Sequence, residues 1–469
     1  SQSIMAENQN INQKLEQLTS ENTEFKREVS LFSGVNVLAG IMVGSGIFYL
    51  GSYVLIRSGM SMGLALIVWV IAGLISLLSG LCYAELGTMM PKSGGAYIYL
   101  REAYGERVAF MNGFAGFFIS SSGSIAGLAV AFPNALNAFF PMTEWQQKAL
   151  GVSLIVLLTL FNIRGVKLGA IIQDIFTVAK IVPIAVIIVF GLFMGQQTPD
   201  LSVIPASNPS IPSLIGMVAF AVVSSLWAYT GWTNINVISE EIKNPKKNIP
   251  LAIIISIVAV MSLYVVFNFA IFRTVPVDVM QSMFAEGDYF VGTKAATILF
   301  GNFGKTLVGV GMAVSIFGAL NGCVMVFPRS YYAMAKDGLF LPSFRKLHPT
   351  YKTPVSALIA SMIVSSALVC TRNLNQITSL VVFSGFIFNS LTFYAVVVLR
   401  KKYPDLNRPY KVWAYPFTVI LIILVNIGLM ANTFIEDPVT SIIGLVVPAA
   451  AFVLYPVVKK ANQKMMKAE

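Results

Sequence analysis

Gly40-Ile41-Met42-Val43-Gly44-Ser45-Gly46-Ile47-Phe48 interrupts an apolar run, Leu31 to Ile56, that is long enough to cross a bilayer. A helix that only anchors a chain gains nothing from three glycines and a serine near its centre. Each glycine costs about 1 kcal/mol of helix propensity against alanine. Inside hydrocarbon, a backbone group released from the helix must find another partner, so irregular backbone is tolerated there only where it is buried in protein or lines a cavity. The stretch reads either as a ligand site built on unwound backbone or as a small-residue packing face.

The surrounding chain is that of a membrane protein. It has 469 residues, 56% hydrophobic and only 11% charged, where soluble domains carry about 25% charged residues. Apolar runs and breakers give twelve candidate spans, at 31–56, 62–88, 108–139, 149–163, 168–195, 211–238, 249–273, 304–333, 354–371, 376–399, 414–434 and 439–458. With the N-terminus inside, 25 of the 32 Lys and Arg fall on the inner side and six on the outer, Arg57, Lys148, Arg273, Lys294, Lys305 and Arg372. The remaining one, Lys180, lies deep inside a span. This bias places both termini in the cytosol and the chain in the cell (plasma or inner) membrane.

Several chemistries are excluded. Cys82, Cys323 and Cys370 sit in apolar segments at unrelated spacings, and His348, the single histidine, sits in a polar loop. They form neither a disulfide framework nor a metal site, and no cofactor is called for. The net charge of +11 lies where a membrane surface would meet it, so nucleic acid is not a partner. Two loops are longer than the rest. The outer one, 274–303, has a candidate helix at 292–299 and the length of a lid. The inner one, 334–353, is basic and contains prolines, as a solvated cytosolic segment would.

Span six carries a second break, Ser224-Ser225-Leu226-Trp227-Ala228-Tyr229-Thr230-Gly231-Trp232-Thr233-Asn234. It lies five spans after the first and so crosses in the opposite direction. Interrupted spans at corresponding positions of two oppositely oriented halves point to an inverted-repeat transporter with its site at the midplane. Residues 1–30 are then a tag remnant (Ser1 to Ile4, ahead of Met5) and a mobile cytosolic tail. The transporter domain is 31–458, with repeats at 31–195 and 211–399 and two further helices at 414–458; 459–469 is a second tail.

The broken ends suggest the ligand. A helix start offers free N–H groups and a positive dipole end, suited to a carboxylate. Val43 and Gly44 lead into such a start, with the N–H groups of Ser45, Gly46 and Ile47 facing the ligand. In span six, the carbonyls around Ser225, Leu226, Trp227 and Ala228 could take an ammonium, with Gly231 allowing close approach. A zwitterionic amino acid meets both demands.

An ionisable residue inside a span is a functional candidate by default. Lys180 lies about 18 Å up span five at 1.5 Å per residue, too deep to snorkel easily. Its ammonium could bridge span-one carbonyls and a hydroxyl on another helix, in place of a bound sodium ion, or could carry a coupling proton. Asp174, a turn and a half below, is secondary. Glu85, in the Gly/Pro-rich Ala84–Tyr97 stretch, reads as a cytosolic gate or as a structural turn, and Glu240-Glu241-Ile242-Lys243-Asn244-Pro245 as a solvated helix end or a gating element.

Gly44-Ser45-Gly46-Ile47-Phe48, Ala84–Tyr97, Trp227–Trp232 and Glu240–Pro245 together resemble the L-type amino acid transporter family of the amino acid–polyamine–organocation superfamily, and the likeness runs from about Lys26 to Lys411. The resemblance implies an all-α polytopic membrane protein of twelve transmembrane helices, a LeuT-type 5+5 inverted repeat with helices 1 and 6 broken. It implies sodium-independent, usually obligatory, exchange of amino acids. By position, Lys180 matches the lysine that ties span one to span eight, and Ser315 matches its hydroxyl partner. Trp227 matches the aromatic gate, Tyr264 a tyrosine on the cytosolic side of the site, and Asn321 falls near a pocket position.

Two departures carry weight. The loop Phe139–Lys148 lacks the cysteine of members that pair with a glycoprotein heavy chain, so no disulfide-linked partner is expected and a bacterial-type solo transporter is. Thr230 stands where relatives that take dibasic substrates have an acid, which favours neutral side chains. The expectation is antiport of neutral L-amino acids within the lipid bilayer and no enzymatic activity. Proton-coupled symport through Lys180 is the alternative, and an ion channel the distant one.

Overall fold

Capping chemistry and backbone breaks cut the apolar runs into twenty α-helices in the computed structural model, which describes residues 1–137, 139–371, 374–436 and 438–468. Arg372, counted above on the outer side, and the side chain of Ser45 lie outside the described residues. Helix α1 (Gln2–Thr19) precedes the apolar region. Helix α2 (Leu31–Met42) begins where the Ser30 hydroxyl accepts from the Ser33 N–H at 3.2 Å, the usual N-cap contact. It stops at Val43. One 3-10 turn, Ser45–Phe48, leads to α3 (Leu50–Arg57).

Ser61 caps α4 (Met62–Met89) in the same way. Then come α5 (Ala96–Tyr104), α6 (Glu106–Ala115), a π-helical stretch Gly116–Ser120 and α7 (Ser121–Asn137). Thr143 and Gln146 form a capping box at the start of α8 (Glu144–Ile163), and α9 (Val166–Met194) follows Gly165. Helix α10 (Ile211–Trp227) ends in turns over 228–233 before the single turn α11 (Asn234–Val237). Asn244 is left-handed at φ 48° and delivers Pro245 to the first position of α12 (Pro245–Thr274), where a missing N–H costs nothing.

The outer loop folds into α13 (Val277–Ala285) and α14 (Val291–Phe300), the second covering the candidate helix at 292–299. Helices α15 (Asn302–Val326) and α16 (Pro328–Lys336) make one long unit, followed by α17 (Val355–Thr371), α18 (Leu374–Lys402), α19 (Phe417–Glu436) and α20 (Pro438–Ala468).

Among the described residues, eight helical stretches are long and apolar enough to cross a membrane. The other four expected spans are represented by shorter apolar helices, two of them at the interruptions after Met42 and Trp227. No strand occurs among the described residues; one isolated parallel bridge pairs Val29 with Ile242. Helix α2 lies at the centre, packed by α9, α12 and α15. Large apolar side chains such as Phe193, Ile215, Leu424 and Val453 are exposed on peripheral helices, as a surface facing lipid requires.

The first thirty residues differ from the mobile tail expected of them. Gln2–Thr19 is helical, with Leu18 buried and Lys14 3.2 Å from Glu102. The next segment is docked: Phe25 packs edge-on to Tyr332, and Val29 exchanges backbone hydrogen bonds with Glu241 and Lys243 at 2.9 and 2.8 Å. The physical reason is that Phe25 and Val29 are apolar in an otherwise polar stretch, and burying them outweighs the entropy of a short docked segment.

Candidate functional site

The carbonyls released where α2 stops are taken by side chains from two other helices. Lys180, fully buried on α9, donates to the Gly40 carbonyl at 2.9 Å and to that of Val43 at 2.7 Å. Its third neighbour is the backbone carbonyl of Ser315 at 3.4 Å. Resemblance assigned that contact to the Ser315 hydroxyl, but the Oγ is buried with no hydrogen-bond partner among the described residues. The Tyr264 hydroxyl on α12 lies 3.1 Å from the Met42 carbonyl and 2.6 Å from that of Ala228. One side chain thus spans both breaks.

Lower on α2 the tie to α9 continues. Asp174 accepts from the Ser33 hydroxyl at 2.8 Å and the Asn36 amide at 3.0 Å, and Thr177 donates to the Asn36 carbonyl. The glycines of the first break divide between the two readings. A Cβ on Gly40 would fall 2.0 Å from Gln173 Nε2 and 2.7 Å from Thr177 Oγ1, so Gly40 is there for helix packing. A Cβ on Gly44 would meet nothing within 4 Å, so Gly44 fronts open space. The N–H groups that open the 3-10 turn after it have no intrahelical partner.

In the second break, Gly231 has φ +132°, and a Cβ there would come within 2.7 Å of Ile41 and 3.3 Å of the Met42 nitrogen. The second break therefore packs against the last turn of α2, which only glycine at 231 permits. The carbonyls of Ser225, Leu226 and Trp227 accept from the N–H groups of Ala228, Tyr229 and Thr230 at 3.0–3.2 Å. Each keeps its second lone pair. The Ser225 hydroxyl turns back to Val222, Leu226 is partly buried, and Trp227 is 41% exposed at the end of α10.

Asn321 does not face the breaks. Its amide donates to Gly169 and Gln173, and its oxygen accepts from Asn162, all buried. This network fastens α15 to α8 and α9.

A second layer lies on the face that carries the N-terminal segment. Glu85 is buried and takes hydrogen bonds from Arg400 (Nε at 3.1 Å, with Nη2 on its other oxygen) and from the Val412 N–H at 2.9 Å. Glu241, just past α11, forms a two-pronged pair with Arg329 of α16 at 2.7 and 3.1 Å, both side chains buried. Arg27 donates to the Ser239 and Ile242 carbonyls at 3.0 and 2.9 Å. Arg101 reaches Asp337 at 2.7 Å; burial pulls its guanidinium down, and Asp337 and Glu102 more than reverse this, leaving it above its ordinary value.

Sequence reasoning missed the Glu241–Arg329 pair and the aromatic wall of Trp69 and Tyr229 against Tyr264, with ring centroids 5.0 and 5.2 Å from the Tyr264 ring. Arg329 was legible as a charge at the edge of an apolar run. Trp69 was not, because one aromatic in the apolar run 62–75 carries no signal.

A family model described as amino acid permease matches residues 29–458. The serine/threonine exchanger SteT of Bacillus subtilis is 33% identical over 443 residues, covering 94% of this chain and 99% of that protein. The b(0,+)-type amino acid transporter 1 of Mus musculus is 32% identical over 426 residues, covering 89% and 84%. The large neutral amino acids transporter small subunit 2 of Homo sapiens is 32% identical over 446 residues, covering 92% and 80%.

Proposed function

We propose that this chain, which belongs to the amino acid permease family, exchanges neutral L-amino acids across the cell membrane by sodium-independent alternating access. The chain is an amino acid transporter of the multi-pass membrane class and not an enzyme, as its family and relatives are. The observation that carries the finer reading is the Lys180 ammonium on the carbonyls of Gly40 and Val43. A fixed cation already sits where unwound carbonyls would otherwise call for a sodium ion.

The ligand reading follows from the same geometry. The N–H groups at Ser45, Gly46 and Ile47 receive the carboxylate, reached past open Gly44, and second lone pairs on carbonyls of the α10 end receive the ammonium. Trp227 gates the site from one side. Lys180 and Tyr264 hold the two broken helices in register, and Glu85–Arg400 with Glu241–Arg329 close the cytosolic end. The frame is twelve spans in two inverted five-helix repeats with both termini cytosolic. The name of the Bacillus relative, a serine/threonine exchanger, supports exchange and small substrates. The absence of cysteine between Phe139 and Lys148 supports function without a disulfide-linked heavy chain.

Thermal stabilisation in detergent tests the zwitterion grip. L-Serine and L-alanine raise the melting temperature, and their methyl esters do not. Equal stabilisation by the esters removes the carboxylate cradle from the account.

A further inference from the structure

Asp174 stands about 12 Å along α9 from Val166 and about 9 Å short of Lys180, at 1.5 Å per residue. A carboxylate at that depth in a span is costly, and its partners show what it is kept for. One of its oxygens accepts from the Ser33 hydroxyl at 2.8 Å, the other from the Asn36 amide at 3.0 Å. Asn36 is held a second time, where its carbonyl accepts from the Thr177 hydroxyl at 3.1 Å. Ser33, Asn36 and Thr177 are all buried.

These contacts and those of Lys180 form one ladder. Its rungs fall at 33, 36, 40 and 43 on α2 and at 174, 177 and 180 on α9, the steps that keep side chains on one helical face. The two ends of the ladder recognise different things. Lys180 grips only backbone carbonyls, those of Gly40 and Val43, and each turn of a helix offers a similar pair. Asp174 grips side chains, and among the described residues its two bonds are the only side-chain-to-side-chain hydrogen bonds between α2 and α9. Sliding α2 by about four residues, one turn, would set Val37 and Gly40 or Val29 and Phe32 opposite Asp174. None of these has a side-chain donor. Gly40 excludes slips by size, since a Cβ there would fall 2.0 Å from Gln173 Nε2; Asp174 selects the register by attraction.

Register matters because α2 ends at Val43, and Gly44 leads directly into the turn Ser45–Phe48. Whatever sets the height of α2 also sets the height of that turn. We propose that Asp174 is a positioning residue for the substrate: through Ser33 and Asn36 it fixes α2 against α9, and so places the amides of Ser45, Gly46 and Ile47 where the substrate carboxylate meets them. The proposal rests on the amino acid reading above and on its carboxylate cradle.

The test is L-serine exchange in proteoliposomes by the native chain, Asp174→Ala, Asp174→Asn and the double variant Ser33→Ala with Asn36→Ala. Asp174→Ala raises KM about tenfold, the worth of one charge-assisted hydrogen bond, and leaves the maximal rate within about twofold. A folding defect alone does the reverse, lowering the maximal rate at unchanged KM. Asp174→Asn keeps KM near the native value, because its oxygen accepts from Asn36 and its NH₂ donates to the Ser33 hydroxyl. The double variant on α2 repeats the alanine result and carries the test should Asp174→Ala fail to fold. Native KM in the alanine variants overturns the proposal. So does an Asp174→Asn variant as impaired as Asp174→Ala, since charge and not register would then be what Asp174 supplies. The underlying reading fails separately, in the native chain: stabilisation by L-serine methyl ester equal to that by serine removes the cradle, and a native chain that exchanges no amino acid removes both.

Discussion

The Lys180 ammonium donates to the Val43 carbonyl at 2.7 Å, at the residue where the first broken helix gives out. The same nitrogen holds the Gly40 carbonyl one turn below. Replacing Lys180 with alanine strands both carbonyls, at about 1–3 kcal/mol for each buried group left unmade. It also removes the cost of burying the ammonium, so the two effects oppose one another. We expect Lys180→Ala to fold and purify as a monodisperse protein, with exchange reduced more than tenfold. Exchange at the native rate would show that the lysine does not hold the site.

Gly40 and Gly44 should separate packing from binding. Gly40→Ala drives a methyl into Gln173 and Thr177 and lowers the melting temperature, with an overpacking cost of about 1–3 kcal/mol. Gly44→Ala has room for its methyl and an extended backbone at φ −102°, so stability is kept. The added methyl stands in the approach to the amides of the next turn, and substrate affinity falls about tenfold. The pair is read by melting curves and by ligand-dependent stabilisation.

Tyr264→Phe keeps the aromatic wall with Trp69 and Tyr229 and deletes only the hydroxyl between Met42 and Ala228. Loss of a hydrogen bond of this kind costs about 1 kcal/mol of stability. Exchange should fall by a larger factor, because the hydroxyl touches both broken helices. A proportional loss of stability and exchange would reduce Tyr264 to a packing residue.

Arg329→Ala leaves the Glu241 carboxylate buried and alone, and breaking a buried pair on one side costs about 3–5 kcal/mol. The double variant Glu241→Leu with Arg329→Met removes both charges and should recover most of that stability. Exchange should remain impaired in the double variant, since the tie between the end of the sixth span and α16 is gone. Recovery of exchange along with stability would assign the pair to folding alone.

The fold was legible in the sequence to the extent that hydrophobic length and glycine cost are local properties. The breaks at Gly40–Phe48 and Ser224–Asn234 disclose themselves because helix-breaking residues stand where hydrocarbon penalises them. Lys180 was legible for the same reason. Asn321 illustrates the limit: its type fits a pocket, but only the packing of α8, α9 and α15 shows that its amide is consumed by Asn162, Gln173 and Gly169. The docked segment around Val29 was hidden because its partners, Glu241 and Lys243, lie more than two hundred residues away. Ser315 was named by resemblance alone, and a matched position does not tell a hydroxyl contact from the backbone carbonyl contact found at 3.4 Å.

A fixed internal cation at the first break makes sodium-independent exchange the expected mode of transport. Counterflow in proteoliposomes tests it most directly, with labelled serine offered to vesicles that are empty or preloaded with unlabelled serine. Uptake is expected only into preloaded vesicles, unchanged when sodium is replaced by a large organic cation and indifferent to a pH gradient. Uptake into empty vesicles driven by an inward proton gradient would contradict it and transfer Lys180 to the role of proton carrier.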